Sequence, residues 1–457
     1  PSGYRVWRAL RDYTNTDLTV SAANIFNVSQ SQVTEEMIRT VYSQYEEDWN
    51  EWPAVLGAPF EDVDNNGVYD PAVDIPGIPG ATQTLWLVAN DLEPEAVGNG
   101  YRPPGTGMEV QLTLWGNDYS GSPLGNSHFR RLRFIYTGLP ENSGSTHIDS
   151  MYIEFWADPA IGNPSNDLAG SDTSLSMVYA YNGTLSDTDY MQFGLNPPAV
   201  GWSLLQGPVN ESGDTLGLST IMVKGSETTW QAPSLGTFEG NQRWYDAMRG
   251  YIPSQIDERH FINPVTGEPT TFMFTGDPVT GEGWVDGDNY GSSPGDRKCW
   301  MGTGPYTMAV GDTQDIILIQ IGAMGNDYLN SVSLLRAYAN LSRGAGRSLY
   351  DLSDVNLNLP NKVSVAQNFP NPFNLDTRID YGLHVSGYAE IAIYDLLGRE
   401  VTTLVNGHRT IGLYQAEWNG LHSNGERVAS GLYLYRLKVR TQDRTYTSSV
   451  RKLTLLR

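Results

Sequence analysis

The sequence predicts a mainly β protein, with a β-sandwich body that carries one or two helices, followed by an immunoglobulin-like C-terminal β-sandwich. Short runs in which apolar and polar residues alternate recur along the chain, and Gly, Pro and Asn separate them. The 457 residues include 48 Gly, 26 Pro, 26 Tyr and 12 Trp, whereas charged residues make up only 18%. A chain of this length can form two or three domains, each with its own core.

The acidic residues are concentrated before residue 361. Residues 361–457 hold 12 Lys and Arg against 8 Asp and Glu, whereas residues 1–360 hold 17 against 44. An acidic body argues against nucleic acid as a partner and suits the binding of divalent cations. No run of 18 apolar residues occurs, so we expect no membrane span. The single cysteine, Cys299, cannot form an internal disulfide and is expected to pack as a small apolar residue.

The chain is predicted to contain four parts. Residues 1–30 form an N-terminal arm or a first strand, residues 31–343 a β-rich main body, residues 344–362 a linker and residues 363–457 the C-terminal sandwich. A first helix is predicted over residues 34–50, where Thr34 can cap the N-terminus and apolar residues recur at helical spacing. Its polar face, which carries Glu46, Glu47 and Asp48, is expected to be solvated. A second helix is predicted over residues 330–342, ending before Gly344 and Gly346.

The most specific motif is an acidic loop that runs from Asp62 to Asp74. The pattern Asp-x-Asp-x-Asn-Gly-x-x-Asp matches the first nine positions of a calcium loop, in which oxygen ligands at alternate positions surround a hard cation. The predicted first calcium site consists of Asp62, Asp64, Asn66, the carbonyl of Val68, Asp70 and Asp74. The twelfth position is Val73, so Asp74 is the candidate for the missing carboxylate. The alternative is an Asx-rich turn that binds no metal.

Two further loops carry weaker cation signals. The segment after the strand over residues 148–156 contains Asp158, Asn163, Asp167 and Asp172, spaced so that a long loop could surround a second cation. Because this segment lacks the compact register of the first loop, turn formation is the alternative role for these acids. A third acidic turn follows Val285, with Asp286, Asp288 and Asn289.

No catalytic constellation is recognised in the sequence. It contains neither His-Glu-x-x-His, nor Gly-x-Ser-x-Gly, nor a phosphate-binding Gly-rich loop with Lys. Glu154, beside Trp156 on a predicted strand, is a lone carboxylate, and a surface-facing strand residue is its simpler interpretation. The prediction therefore names no catalytic residue and leans against an enzyme.

The last hundred residues carry five motifs in a characteristic order: Gln367-Asn368-Phe369-Pro370-Asn371-Pro372-Phe373-Asn374, Ile393-Tyr394-Asp395-Leu396-Leu397-Gly398-Arg399, Gly412-Leu413-Tyr414 before Trp418-Asn419-Gly420, Ser430-Gly431-Leu432-Tyr433, and the basic end Arg451 to Arg457. In order and spacing they resemble the C-terminal sorting domain of proteins exported by the type IX (Por) secretion system of Gram-negative bacteria. The resemblance implies an immunoglobulin-like fold, the secretion machinery as partner, and a sorting signal made of Arg451, Lys452, Leu453, Leu455 and Arg457. It also implies an extracellular or cell-surface location, reached after signal-peptide removal and outer-membrane export.

The region before this domain also resembles large cell-surface proteins that carry the same sorting signal and have no assigned activity. That resemblance rests on Gln44 to Pro53, Asp62 to Gly77, Leu114-Trp115, Asp158 to Asp172 and Pro294 to Arg297. We therefore expect a secreted, calcium-stabilised structural or adhesive protein whose partners include copies of itself, with assembly into an extracellular filament or layer. The alternative hypothesis is a carbohydrate-binding protein or polysaccharide hydrolase, with surface glycans as partners.

Overall fold

The prediction of a mainly β fold is confirmed, because antiparallel sheets dominate and helices are few. The computed structural model describes residues 5–92, 105–118, 122–138, 147–225, 230–234, 236–253, 258–287, 293–349, 364–365, 368, 370–374, 376–383, 387–409, 412–441, 444–448 and 450–456. The α-helices within these ranges are α1 (Thr19–Phe26), α2 (Glu35–Asn50), α3 (Thr188–Met191), α4 (Phe238–Met248) and α5 (Tyr328–Leu349). The strands are β1 (Trp7–Leu10), β2 (Phe60–Glu61), β3 (Ile75–Pro76), β4 (Gln83–Asn90), β5 (Met108–Gly116), β6 (Ser127–Tyr136), β7 (His147–Ala157), β8 (Asp167–Asp172), β9 (Met177–Asn182), β10 (Ala199–Gln206), β11 (Leu218–Lys224), β12 (Phe261–Ile262), β13 (Pro269–Thr270), β14 (Lys298–Ala309), β15 (Thr313–Ala323), β16 (Ser364–Val365), β17 (Thr377–Leu383), β18 (Gly387–Tyr394), β19 (Glu400–Arg409), β20 (Gly412–Trp418), β21 (Gly431–Arg440), β22 (Thr445–Thr447) and β23 (Arg451–Leu455).

The chain divides into two compact units between Ala339 and Asn340, and the short segment 122–126 is grouped with the second unit. The first unit is built on an eight-stranded antiparallel sheet in the order β1-β4-β5-β6-β15-β10-β9-β8 and a three-stranded sheet in the order β11-β14-β7. Short hairpins, β2–β3 and β12–β13, stand apart from these two sheets.

The largest apolar cluster among the described residues forms where the inner faces of these two sheets meet. Alternation along each strand places one set of side chains inward, as the period of two requires. Contributors from the large sheet include Val178, Trp202, Leu204, Ile316 and Leu318, and those from the small sheet include Ile221, Val223, Cys299 and Met301. Cys299 is fully buried, as predicted for a small apolar residue. Each such buried side chain contributes about 1.5–3 kcal/mol, so this cluster stabilises the body.

The second unit is also a sandwich of two antiparallel sheets. One has the order β16-β17-β20, and the other has the order β19-β18-β21-β22, with β23 also pairing with β21. Side chains from both sheets share one core, which includes Ile379, Tyr381, Ile391, Ile393, Trp418, Tyr435, Leu437, Leu453 and Leu455. The predicted C-terminal sandwich is therefore formed by the described residues of this region.

The N-terminal part of the first unit agrees only in part with what the sequence predicts. The Thr34 hydroxyl accepts a hydrogen bond from the Met37 N–H at 3.3 Å, as expected for the cap of α2. Asp48 departs from the predicted solvated face. It is buried and accepts hydrogen bonds from the Arg5 side chain and from the Arg8 N–H, both at 3.1 Å. The chain before β1 thus docks on α2 and neutralises a carboxylate that the helical pattern alone places outward.

Two helices differ from the prediction. Helix α1, within the first 30 residues, was not predicted, and its N-cap side chain makes no capping hydrogen bond. Helix α5 continues to Leu349, past the predicted end at Ser342 and into the first residues of the predicted linker. Neither Gly344 nor Gly346 has the positive φ of a terminating glycine. A glycine inside a helix costs only about 1 kcal/mol, so it weakens the helix without ending it.

Candidate metal centre

The acidic loop over residues 62–74 is closed at its base by a two-residue hairpin. Phe60 of β2 pairs with Pro76 of β3, and Glu61 pairs with Ile75. The rings of Phe60 and Tyr69 meet edge to face, with centroids 5.5 Å apart. The Tyr69 hydroxyl donates to the carbonyl of Trp49 in α2 at 2.7 Å. The loop is therefore anchored to the body at its base and at its far side.

Asp62 organises the tight turn at the start of the loop. Its carboxylate accepts hydrogen bonds from the Gly67 N–H at 2.7 Å and from the Asn66 N–H at 3.1 Å. These bonds, chiefly the one from Gly67, hold the pKa of Asp62 below its ordinary value. Gly67 has φ +76° and Asn65 has φ 57°, the left-handed conformation that Gly and Asn tolerate best. The carboxylate is thus kept ionised inside a turn that the sequence favours.

Asp74 closes the loop from its other end. It is only 2% exposed, and its two oxygens accept hydrogen bonds from the Val63 N–H at 2.9 Å and the Asp70 N–H at 2.8 Å. Each carboxylate oxygen has two lone pairs, so these two bonds leave room for a further ligand. The position is the one proposed from sequence as the replacement for the missing twelfth-position carboxylate.

Three carboxylates of the loop converge. Asp62, Asp64 and Asp74 each offer an oxygen, and these three oxygens lie within 4.8 Å of one another. The other predicted ligands serve the turn itself, since Asn66 Oδ1 accepts from the Val68 N–H and Asp70 Oδ1 from the Ala72 N–H. A cluster of hard oxygen donors suits Ca²⁺, which takes 6–8 oxygen ligands and would complete its shell with carbonyls or water. These residues therefore fit a calcium ion, and binding stays a prediction.

The second predicted set is not gathered into one cluster. Asp158 pairs with Lys298 Nζ at 2.8 Å. The side chain of Asn163 accepts from the Ser165 N–H, and Asp172 Oδ1 accepts from the Ser174 N–H. Asp172 Oδ2 also lies 3.5 Å from Arg336 Nε. Of the four, Asp167 is the one whose carboxylate is buried. Asn163 and Asp172 thus form turns, which is the alternative role that the sequence predicts for this set.

The third acidic turn contains a buried ion pair. Asp286 accepts hydrogen bonds from Arg297 Nε at 2.7 Å and from the Ala169 N–H at 2.8 Å. Its charge is therefore neutralised by an arginine. Asp288 and Asn289, also predicted for this turn, lie outside the described residues.

Glu154, for which the sequence suggests a surface-facing position, is half-buried. It lies on β7 opposite Gly302 of β14, and helix α4 packs against this strand. Its Oε1 is buried and has no hydrogen-bond partner among the described residues. Burial raises the pKa of Glu154 to about 8. The raised pKa favours the protonated carboxyl at neutral pH.

The residues of the predicted sorting signal lie on the last strand, β23. Arg451 and Lys452 are exposed, whereas Leu453 and Leu455 are buried in the core of the second unit. Arg457 lies outside the described residues. In the part of the chain that the structure describes, no helix is long and apolar enough to cross a bilayer.

The sequence analysis missed three polar residues around Asp167, namely Asn166, Asn182 and Asp187. Asn182 lies directly opposite Asp167 in the β8–β9 pair, and the Asp187 carboxylate accepts from the Asn163 N–H at 3.0 Å. One local signal was available, because Asp187 precedes α3 and caps it. The contact between Asp167 and Asn182 depends on strand register, which local spacing does not specify.

Calcium loop variants separate the structural role of Asp74 from metal binding. We expect Asp74→Ala to lower the free energy of unfolding by about 2–3 kcal/mol even with a chelator present, because two backbone N–H groups lose a charged acceptor. Asp64→Ala should change it by no more than about 0.5 kcal/mol in chelator, yet reduce the rise in melting temperature that calcium causes. Thermal unfolding with calcium and with chelator measures both effects, with the exposed Asp214→Ala as control. A calcium-dependent rise of the same size in Asp64→Ala and in the unchanged protein would contradict this loop as a site.

Burial of Glu154 predicts a stability that falls as pH rises. The folded state keeps the proton up to a pKa of about 8, whereas an ordinary glutamate releases it near 4.5. Between these values the folded state binds more protons, so stability falls by up to about 1.4 kcal/mol per pH unit. Glu154→Gln should remove this slope, while the exposed Glu268→Gln should retain it. Denaturant unfolding from pH 5 to pH 9 is the measurement, and parallel curves for Glu154→Gln and the unchanged protein would count against a buried acid here.

No family model matches the chain. No curated protein matches it either.

Three solved structures show a weak likeness. A polysaccharide lyase is 8% identical, with 77% of this chain and 34% of that chain covered and a TM-score of 0.21. Dimeric latent PorU from Porphyromonas gingivalis is 9% identical, with 83% and 30% covered and a TM-score of 0.19. PorZ, a surface component of the type IX secretion system of the same bacterium, is 12% identical, with 85% and 40% covered and a TM-score of 0.17. The chain spans 40% or less of the length of each, and similarity this low carries no argument about this protein.

Proposed function

We propose that this chain is a secreted cell-surface protein with a structural or adhesive role, exported by the type IX system, stabilised by calcium and assembled from copies of itself. The observation that carries the proposal is the sequence and side-chain arrangement of the last strand, β23. Its sequence ends the motif series of the sorting domain, and its two leucines pack into the core while Arg451 and Lys452 face solvent. A folded domain that presents a basic pair on an exposed strand can be bound by export machinery without unfolding.

The calcium part of the proposal is supported by the loop over residues 62–74. Three carboxylates converge there within 4.8 Å, and the neighbouring hydrogen bonds come from N–H groups of the same loop. Like charges at this distance repel unless a cation lies between them. Calcium would therefore stabilise the folded loop and its anchor on α2.

Self-association is supported by two long edge strands. Strand β7 has 11 residues and forms one edge of the three-stranded sheet of the first unit, and β19 has 10 residues and forms one edge of the larger sheet in the second unit. An edge strand carries backbone donors and acceptors that a strand from another chain can pair with. Strand addition between copies is therefore the assembly mode that we propose.

Glycan binding is a second candidate function, and a single residue favours it. Trp156 on β7 is 54% exposed, which is unusual for a large aromatic side chain. An exposed indole can stack on a sugar ring. Hydrolysis is less well supported, because glycoside hydrolysis needs a pair of carboxyl groups, and Glu154 with its raised pKa would supply only the general acid.

Export is tested by neutralising the basic pair of β23. We expect Arg451→Ser with Lys452→Ser to leave the folded domain intact, because both side chains are exposed, and to reduce secretion at least tenfold in a bacterium with a type IX system. The measurement is the fraction of protein in the culture medium or on the cell surface.

The matched control is Arg427→Ser with Arg440→Ser, which removes two exposed positive charges elsewhere in the same domain. Equal secretion of the two double variants would show that β23 is not the sorting signal of this chain. Circular dichroism of the purified variants checks that folding is preserved.

Assembly is tested by electron microscopy of the purified full chain. We expect regular filaments or sheets in calcium and their dispersal after chelation, since the proposed cations stabilise the assembling fold. Single particles of uniform size in both conditions would contradict self-assembly. A glycan array on that same sample would then test the second candidate, with Trp156→Ala as the variant expected to lose binding.

A further inference from the structure

A buried polar cluster lies at one end of the β8–β9 pair, away from the loop over residues 62–74. Asp167 and Asn182 are direct cross-strand partners, and both are 0% exposed. Side chains directly opposite each other in an antiparallel pair lie on the same face. On that same face lie Ala169, two residues after Asp167, and Val178, four residues before Asn182, and both belong to the core between the two sheets. Asp167 and Asn182 therefore point into the inner layer of the sandwich.

Three oxygens of this cluster have no hydrogen-bond partner within the described part of the chain: Asp167 Oδ1, Asn182 Oδ1 and Asn166 Oδ1. Asn166 precedes Asp167, and its carbonyl accepts from the Gly183 N–H at 2.6 Å, which joins it to the residue after Asn182. Buried acceptors are normally paired, so three in adjoining residues require an explanation. The missing partner must be a group that accepts lone pairs from several oxygens.

The orientation of the two amides is fixed by their neighbours. Asn182 Nδ2 donates to the carbonyl of Thr184 at 2.8 Å, and Asn166 Nδ2 donates to Asp187 Oδ2 at 3.4 Å. A carbonyl and a carboxylate only accept hydrogen bonds, so turning either amide over would set oxygen against oxygen. The amide oxygens therefore face away from these acceptors.

Asp187 adds a second carboxylate to the cluster. It is 1% exposed, and its Oδ2 also accepts from the Asn163 N–H at 3.0 Å. Its Oδ1 accepts from the Asp189 N–H at 2.8 Å and from the Tyr190 N–H at 3.4 Å. Because its lone-pair positions are thus engaged, Asp187 contributes a negative charge to the cluster and no ligand atom. Gly162 lies so close, at φ +67°, that a Cβ there would collide with the Asp187 carboxylate. Burial raises the pKa of Asp167 to about 7, and the charge of Asp187 adds to the effect. The neighbouring Arg297 lowers this pKa but is hydrogen-bonded to Asp286.

We propose that Asn166, Asp167 and Asn182 form a buried site for a divalent cation beside Asp187, with Ca²⁺ as the best fit. The three side chains offer a carboxylate and two amide carbonyls, all hard oxygen ligands, and they contain neither sulfur nor imidazole. The negative charges of Asp167 and Asp187 together match one divalent cation, and the cation supplies the partner that the three oxygens lack. Ca²⁺ accepts an irregular shell completed by water or carbonyls, whereas Mg²⁺ demands near-ideal octahedral geometry. This site does not depend on the proposed function or on the first loop.

Asp167→Asn is the variant that tests the site. It keeps the size of the side chain, removes one charge and provides an N–H₂ group that can donate to the Asn182 oxygen. To remove binding at the other candidate loop, the test uses full-length protein that carries Asp64→Ala, first stripped with chelator. Bound calcium per chain is measured by equilibrium dialysis with elemental analysis, together with the melting temperature in calcium and in chelator.

We expect the Asp64→Ala protein to bind calcium and to melt at a higher temperature in calcium than in chelator. Adding Asp167→Asn should reduce the calcium affinity at least tenfold and abolish this temperature difference. Adding the exposed Asp214→Asn instead should change neither. In chelator the Asp167→Asn protein should melt no lower than its parent, because the amide satisfies the buried oxygen, and this result also shows that the variant folds.

Two outcomes would overturn the proposal. The first is an Asp64→Ala protein whose melting temperature is the same in calcium and in chelator, which would mean that a proton on Asp167 or buried water serves the three oxygens. The second is unchanged calcium binding after Asp167→Asn, which would place the bound cation elsewhere in the chain.

Discussion

The buried ion pair of Arg297 and Asp286 holds the loop before β14 against the edge of the large sheet. The Arg297 side chain is 1% exposed, and its guanidinium donates to the Asp286 carboxylate and to the carbonyl of Ser293. Asp286 in turn accepts from the backbone of Ala169 on β8, and the Gly295 N–H donates to the carbonyl of Asp167. Loss of one partner would leave the other charge buried and unpaired, at a cost of about 3–5 kcal/mol. The pair thus closes the sandwich at the edge where the buried polar cluster lies.

Much of the fold could be predicted from the sequence because alternation reports directly on two-sided strands. Leu85, Leu112 and Leu132 belong to alternating runs of this kind, and they lie on β4, β5 and β6, which are neighbours in the large sheet. Elements without such a signal were missed. Helix α1 lacks a capping side chain, and α5 continues through Gly344 and Gly346, before which the glycine pattern predicts its end. Local composition fixes neither the presence of α1 nor the end of α5, since backbone dihedrals and packing decide both.

The candidate sites likewise divide into those that local sequence spacing predicts and those that it does not. Asp62, Asp64 and Asp74 were selected because ligands of one loop are encoded by spacing along one short segment. The surroundings of Glu154 and Asp167 could not be predicted, because they depend on the packing of α4 and on the β8–β9 register, which involve residues far along the chain. A pattern of acids can therefore identify a local loop, but it cannot tell which acids will be covered by another element.

The charge distribution explains why cations, rather than further ion pairs, would stabilise this body. Residues 1–360 hold 44 acids against 17 Lys and Arg, so most carboxylates have no basic partner available. Several arginines already form ion pairs. Arg133 pairs with Asp315, and Arg336 pairs with Asp277. Extracellular calcium modules have dissociation constants of about 10⁻⁴–10⁻³ M, so such sites fill where calcium is abundant. On our proposal the chain would reach its full rigidity only after export, when external calcium compensates the carboxylates that its own basic residues cannot.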